Sequence, residues 1–176
     1  MTLVVVLVVA LGAMLGVAGL RLAQMRSVPM ASPRAYPASG PGQPGLEVSS
    51  EAWSYPSSPQ VQDVLGRYFD AINSHNYGAW AATMTPAAVG EQTDAVWAKL
   101  YGKPSTQAGT IRLSRVDEVA PGRVVALVSY VTAQNPDDAP NNLKLSQVCW
   151  RVSYALAGTP PKIDVSGPSS VTLGSC

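Results

Sequence analysis

Hydrophobic and polar positions follow three different rules along this chain, one after another. From Thr2 to Leu20 ("TLVVVLVVALGAMLGVAGL") there is no charge and no polar face. As a helix this stretch would span about 28 Å at 1.5 Å per residue, matching a hydrocarbon core of about 30 Å. It predicts a transmembrane anchor over residues 1–25. From Pro29 to Pro59 no apolar period survives, and seven of the fifteen prolines fall there among Ser and Gly. That composition predicts a semi-extended spacer over residues 26–57. Trp53 and Tyr55 are the spacer residues that would dock on a domain edge.

From residue 58 the pattern becomes helical. Ser58 is placed to cap a helix beginning at Pro59, and Val61, Val64, Leu65, Tyr68 and Ile72 recur on one face. Asn76 is placed to cap a second helix carrying Tyr77, Trp80, Ala81 and Met84. Thr85-Pro86 repeats the capping signature, and Val89, Thr93, Val96, Trp97 and Leu100 predict a third stripe that stops at Gly102.

After Gly102 the period drops to two. "GTIRLSRVDEV", Pro121-Gly122 and "RVVALVSYVTAQ" predict a hairpin, followed by the ten-residue loop "NPDDAPNNLK". In "QVCWRVSYAL" the residues Val148, Trp150, Val152, Tyr154 and Leu156 share one face, and Cys149, Arg151 and Ser153 share the other. "KIDVS" and "SVTLGSC" close the chain. Helices first and strands after predict an α+β domain over residues 58–176, with about three helices on one face of a curved antiparallel sheet.

The stretch "VQDVLGRYFDAINSHNYGAWAATMTPAAV", with the third helix and the strands after it, resembles the nuclear transport factor 2-like superfamily across residues 56–176. The resemblance rests on element order and on the "YFDAINSHNYGAW" passage. It implies a cone-shaped domain. With the anchor, the chain also resembles actinobacterial envelope proteins, assembly scaffolds of conjugation and type IV secretion, and membrane proteins of lipid-importing Mce systems. Other members are ketosteroid isomerases and polyketide cyclases with carboxylates inside the cone, so the resemblance alone does not fix a function.

Charge narrows the classes. Only 13% of residues are charged, 12 basic against 11 acidic, and residues 56–176 carry nine of each sign. A neutral domain without a basic stripe argues against a nucleic-acid partner. No glycine-rich phosphate loop is present, and two Cys with one His offer no metal-ligand spacing. No cofactor is expected.

The two cysteines bear on compartment. In the terminal strand Val171 and Leu173 share one face, while Thr172, Gly174 and Cys176 share the other. If both strands turn their apolar residues to the helices, the sulfurs of Cys149 and Cys176 emerge together on the outer face. A disulfide there implies an oxidising compartment, with no C-x-x-C to indicate redox catalysis. Against this stand Arg21, Arg26 and Arg34, which follow the apolar run and by the positive-inside rule would hold the domain in the cytoplasm. The disulfide is given precedence. The expectation is a single-pass cell-membrane protein, its anchor uncleaved and its domain extracytoplasmic. Residues 2–20 then contact the lipid bilayer.

Candidate chemistry is thin. His75 stands alone at a helix junction, Asp70 follows Phe69 on the first helix, and Asp117-Glu118 lie beside the hairpin turn. None has companions spaced for acid–base catalysis. Trp80, Trp97, Tyr101, Tyr130, Trp150 and Tyr154 are candidates to line an apolar site or fill the core. Gly12 and Gly16 fit a helix-pairing motif, consistent with membrane-protein partners or self-association. The expected function is a non-enzymatic accessory, scaffold or binding module of the cell envelope. The alternatives are a cavity enzyme of isomerase or cyclase type and a carrier of an apolar ligand.

Overall fold

The computed structural model describes residues 45–165 and 169–176. The chain divides into two units, Met1–Pro37 and Ala38–Cys176, and every described residue belongs to the second. The predicted anchor and the Gly12/Gly16 motif lie outside the described residues. Among the described residues no helix is long and apolar enough to cross a membrane.

The domain is α+β. Its helices are α1 (Ser50–Trp53), α2 (Ser58–Asn73), α3 (Tyr77–Thr83), α4 (Pro86–Glu91) and α5 (Asp94–Tyr101). Its strands are β1 (Leu46–Val48), β2 (Gln107–Ala120), β3 (Arg123–Ala133), β4 (Gln147–Ala157), β5 (Lys162–Ile163) and β6 (Ser170–Gly174). The sheet runs β1-β2-β3-β4-β5, with β6 also paired to β4, and it is curved and unclosed. Three register irregularities in the β2–β3 pairing, between Gly109 and Ala120, supply curvature, since each bulge bends and twists its strand. Gly122, at φ +69°, closes that hairpin in a conformation open to glycine.

Four expectations are corrected. The sheet is mixed rather than antiparallel, because β1 pairs in parallel with β2 from Leu46↔Ile111 to Val48↔Leu113. Among the described residues there are five α-helices rather than about three. Part of this gain lies in residues 46–53, read from sequence as spacer. Ser49 caps α1 by accepting from the Ala52 amide at 3.1 Å and donates to the Ser114 carbonyl at 2.6 Å. These bonds seat the fully buried Ala52. Tyr55 docks as well, donating to Glu118 at 3.0 Å, while Trp53 is exposed.

The third correction concerns the stripe from Val89 to Leu100. The helix breaks at Gln92, and α5 restarts from Thr93, which resets the phase of the periodicity. Trp97 is buried, but Val96 and Leu100 are exposed. Elsewhere the caps fall as the residue types require. Asn76 accepts from the Ala79 amide at 2.9 Å and Thr85 from Ala88 at 3.4 Å. The expected Ser58 cap is corrected: Ser58 is buried inside the first long helix, and Ser57 stands at its N-cap without a side-chain capping bond. Gly102 ends α5 by close approach and not by a positive φ, since a Cβ there would lie 2.5 Å from the Ala98 carbonyl oxygen.

β4 organises the sheet. It pairs with β3 without a register shift from Arg123↔Ala157 to Ala133↔Gln147. Its other edge carries β5 at Leu156–Ala157 and β6 from Cys149↔Gly174 to Ser153↔Ser170. Cys149 is thus opposite Gly174 and one diagonal step from Cys176, and the two cysteines form a disulfide with Cα atoms 5.1 Å apart. Closing 27 residues of chain restricts the unfolded state by about 3.5 kcal/mol in the loop-entropy model. The double substitution C149A/C176A should therefore cost about 3 kcal/mol in chemical denaturation, with a larger m-value because the unfolded chain is no longer cross-linked. A loss below about 0.5 kcal/mol, the size of an ordinary surface change, would contradict the clasp.

Candidate functional site

Helix α2 lies along the inner face of the sheet because its apolar positions recur at helical spacing. Val61, Val64, Leu65, Tyr68, Phe69 and Ile72 are all buried. Against them β3 presents Val124, Ala126, Val128 and Tyr130, and β4 presents Trp150, Val152 and Tyr154, which are cross-strand neighbours in the Tyr130↔Trp150 and Ala126↔Tyr154 register. The inner face is therefore aromatic at its centre.

Two aromatic groups result. In the first, Phe69 meets Tyr130 edge-on at 4.9 Å, Tyr68 meets Tyr154 at 5.5 Å, and Tyr130 stacks on Trp150 at 5.7 Å. In the second, Tyr77, Trp80, Trp97 and Tyr101 run from α3 to α5, with Trp80 and Trp97 6.1 Å apart and Trp97 and Tyr101 5.8 Å apart. Such pairs add about 0.5–1.5 kcal/mol each beyond area burial. The groups adjoin through their tyrosine side chains. The side chain of Tyr68 interacts with those of Tyr101 and Tyr154, and Tyr154 in turn with Tyr130. The inner members, Tyr68 and Tyr154, are buried. The outer members, Tyr101 and Tyr130, are half-buried, as is Trp150.

The electrostatics of this cluster are those of an uncharged interior. Burial pushes the phenols of Tyr68 and Tyr154 well above the ordinary tyrosine range and also raises Tyr101 and Tyr130. The other leading influences on all four come from one another. The buried indole N–H groups of Trp80 and Trp97 have no acceptor. Trp150 is satisfied, donating to Thr132 Oγ1 at 2.8 Å.

The sequence candidates thus separate. Trp97 and Tyr101 fall in one aromatic group with Trp80. Tyr130, Trp150 and Tyr154 fall in the other. Sequence reading missed the part of Tyr68 and Phe69 in joining them, although both lie in the α2 stripe region. Asp70 is exposed on the far side of α2. His75, at φ +52°, places Nδ1 3.0 Å from the Tyr101 carbonyl and so ties the end of α2 to the end of α5. Asp117 pairs with Arg115 at 2.8 Å, and Glu118 accepts from Tyr55. Among the described residues no three His, Cys, Asp or Glu side chains are grouped to hold a metal ion. No family model matches the chain, and no curated protein or solved structure matches it.

The raised phenols have a consequence for stability. A proton held more tightly in the folded state stabilises fully below the unfolded pKa, and that stabilisation is lost as pH rises through the folded value. Absorbance titration at the tyrosinate band should show Tyr68, Tyr101, Tyr130 and Tyr154 ionising above pH 10, together with unfolding. Full ionisation near pH 10 in the folded state would contradict the buried cluster.

Proposed function

We propose that this protein is a membrane-anchored, extracytoplasmic binding module of the bacterial cell envelope. In this reading its domain is a nuclear transport factor 2-like cone that holds an apolar ligand, or an apolar peptide side chain, against its aromatic interior. The observation that carries the reading is the Tyr68–Tyr101–Tyr130–Tyr154 cluster, whose polar groups are neutral hydroxyls surrounded by Trp97, Phe69 and Trp150. Apolar sites of this kind use a few placed polar groups to orient what they bind. An uncharged donor set suits a neutral oxygen better than a cation. The half-buried Tyr101, Tyr130 and Trp150 are the part of the cluster within reach of solvent.

The Cys149–Cys176 disulfide supports the compartment. The apolar Thr2–Leu20 run supports the anchor. The exposure of Asp70 gives no support to a cavity enzyme that would use it.

Two experiments address this directly. Full-length protein extracted in mild detergent should carry a co-purified apolar molecule by native mass spectrometry. Trp150→Ala should lower its occupancy at least about tenfold, a loss of about 1.4 kcal/mol. Protein that is ligand-free after gentle extraction, with no saturable tryptophan-fluorescence response to added lipid extract, would overturn the reading. On intact membranes, Cys149 and Cys176 should resist alkylation until reductant is added. Free reaction of both thiols beforehand would place the domain in a reducing compartment.

A further inference from the structure

Strand β6 ends the sheet in an unusual state. One of its edges pairs with β4, and its other edge has no strand partner among the described residues. Natural edge strands are blunted by charge, proline, a bulge or a cover, because unpaired backbone groups template further pairing. The sequence of β6, "SVTLG", contains neither charge nor proline. Its five pairs with β4 follow one another without a register shift, so no bulge turns it away.

Its side chains are unprotected as well. Val128, Val152 and Val171 form one row across β3, β4 and β6. Their exposures are 3%, 7% and 58%, so the cover over the inner face stops at β4. Beside this row, Leu173 lies opposite Trp150, which is itself opposite Tyr130.

We infer that β6 is a self-association edge, through which two copies of this chain pair antiparallel about Thr172 and join their sheets. In that register Val171 meets Leu173 of the second copy and Leu173 meets its Val171, which makes one apolar strip on the inner face. On the outer face Thr172 meets Thr172 of the second copy, and Ser170 meets its Gly174. The two-fold axis keeps inner face with inner face, and the contact closes at two copies. The strand is its own complement in this arrangement: apolar meets apolar, polar meets polar, and no like charges are opposed. That self-complementarity selects a second copy over an unrelated strand. The disulfide holds β6 against β4 and projects from the outer face, clear of the apolar strip. Five residues a side make a small interface, so association is weak and concentration-dependent.

The test uses full-length protein in detergent micelles, with dimer fraction measured by analytical ultracentrifugation across a concentration series. Val171 is exposed, so V171K should leave the circular dichroism spectrum and denaturation midpoint unchanged. Wild type should dimerise as concentration rises, and V171K should stay monomeric over the same range. An equimolar mixture of V171K and V171E should recover dimer, because the two position-171 side chains lie on adjacent diagonals across the joint. A wild type that stays monomeric throughout would overturn the inference. So would a V171K dimer as abundant as wild type, including one abolished only by replacing Gly12 and Gly16.

Discussion

Trp150, Val152 and Tyr154 face the helices because Cys149, Arg151 and Ser153 face away, and a slip of one residue in β4 would exchange the two sets. The domain depends on this alternation. It puts the stacked Tyr130–Trp150 pair and the Tyr68–Tyr154 contact on the inner side, and it puts the cysteine beside the chain terminus on the outer side. Two features hold the register. The pairing with β3 is uninterrupted along the whole of β4, and the disulfide joins β4 to a strand that buries little apolar surface of its own.

The interior that results is polar without being charged. Removing a phenol from water costs far less than removing a carboxylate, and a hydroxyl both donates and accepts. Four tyrosines can therefore share one buried region where four carboxylates could not. The charged side chains that sequence reading weighed lie elsewhere. Asp70 is on the solvent side of α2, and Asp117 and Glu118 are taken up by Arg115 and Tyr55 near the hairpin turn. The proposed binding role follows from that division between a neutral aromatic inside and a solvated, mixed-sign outside.

Much of the architecture was legible because it rests on local rules. The period of "QVCWRVSYAL" placed Cys149 on its face, Asn76 and Thr85 announced their helices, and Pro121-Gly122 announced the hairpin. What sequence reading missed depends on tertiary contact. Nothing in "LEVSSEAW" signals a parallel strand and a one-turn helix, because both exist only through Ser49 and Leu46–Val48 bonding to β2. The break at Gln92 interrupts a stripe whose spacing looked continuous, which is why Val96 and Leu100 were expected to be buried. The six aromatics were found by residue type alone. Their division into two groups, and the place of Tyr68 between them, required the packing of α2 across the sheet.

The order of dependence among these parts is open to one measurement. Amide hydrogen exchange of the full chain, resolved by segment and compared between the oxidised and reduced states, separates what the disulfide holds from what the β3–β4 pairing holds. Reduction should strip protection from residues 170–176 outright, while β3, β4 and α2 stay protected, lowered only by the shared loss of global stability, since their register and aromatic packing do not pass through the sulfurs. Complete loss of protection in β3 and β4 along with β6, or none in β6, would contradict the dependence of the fold on β4's pairing and alternation.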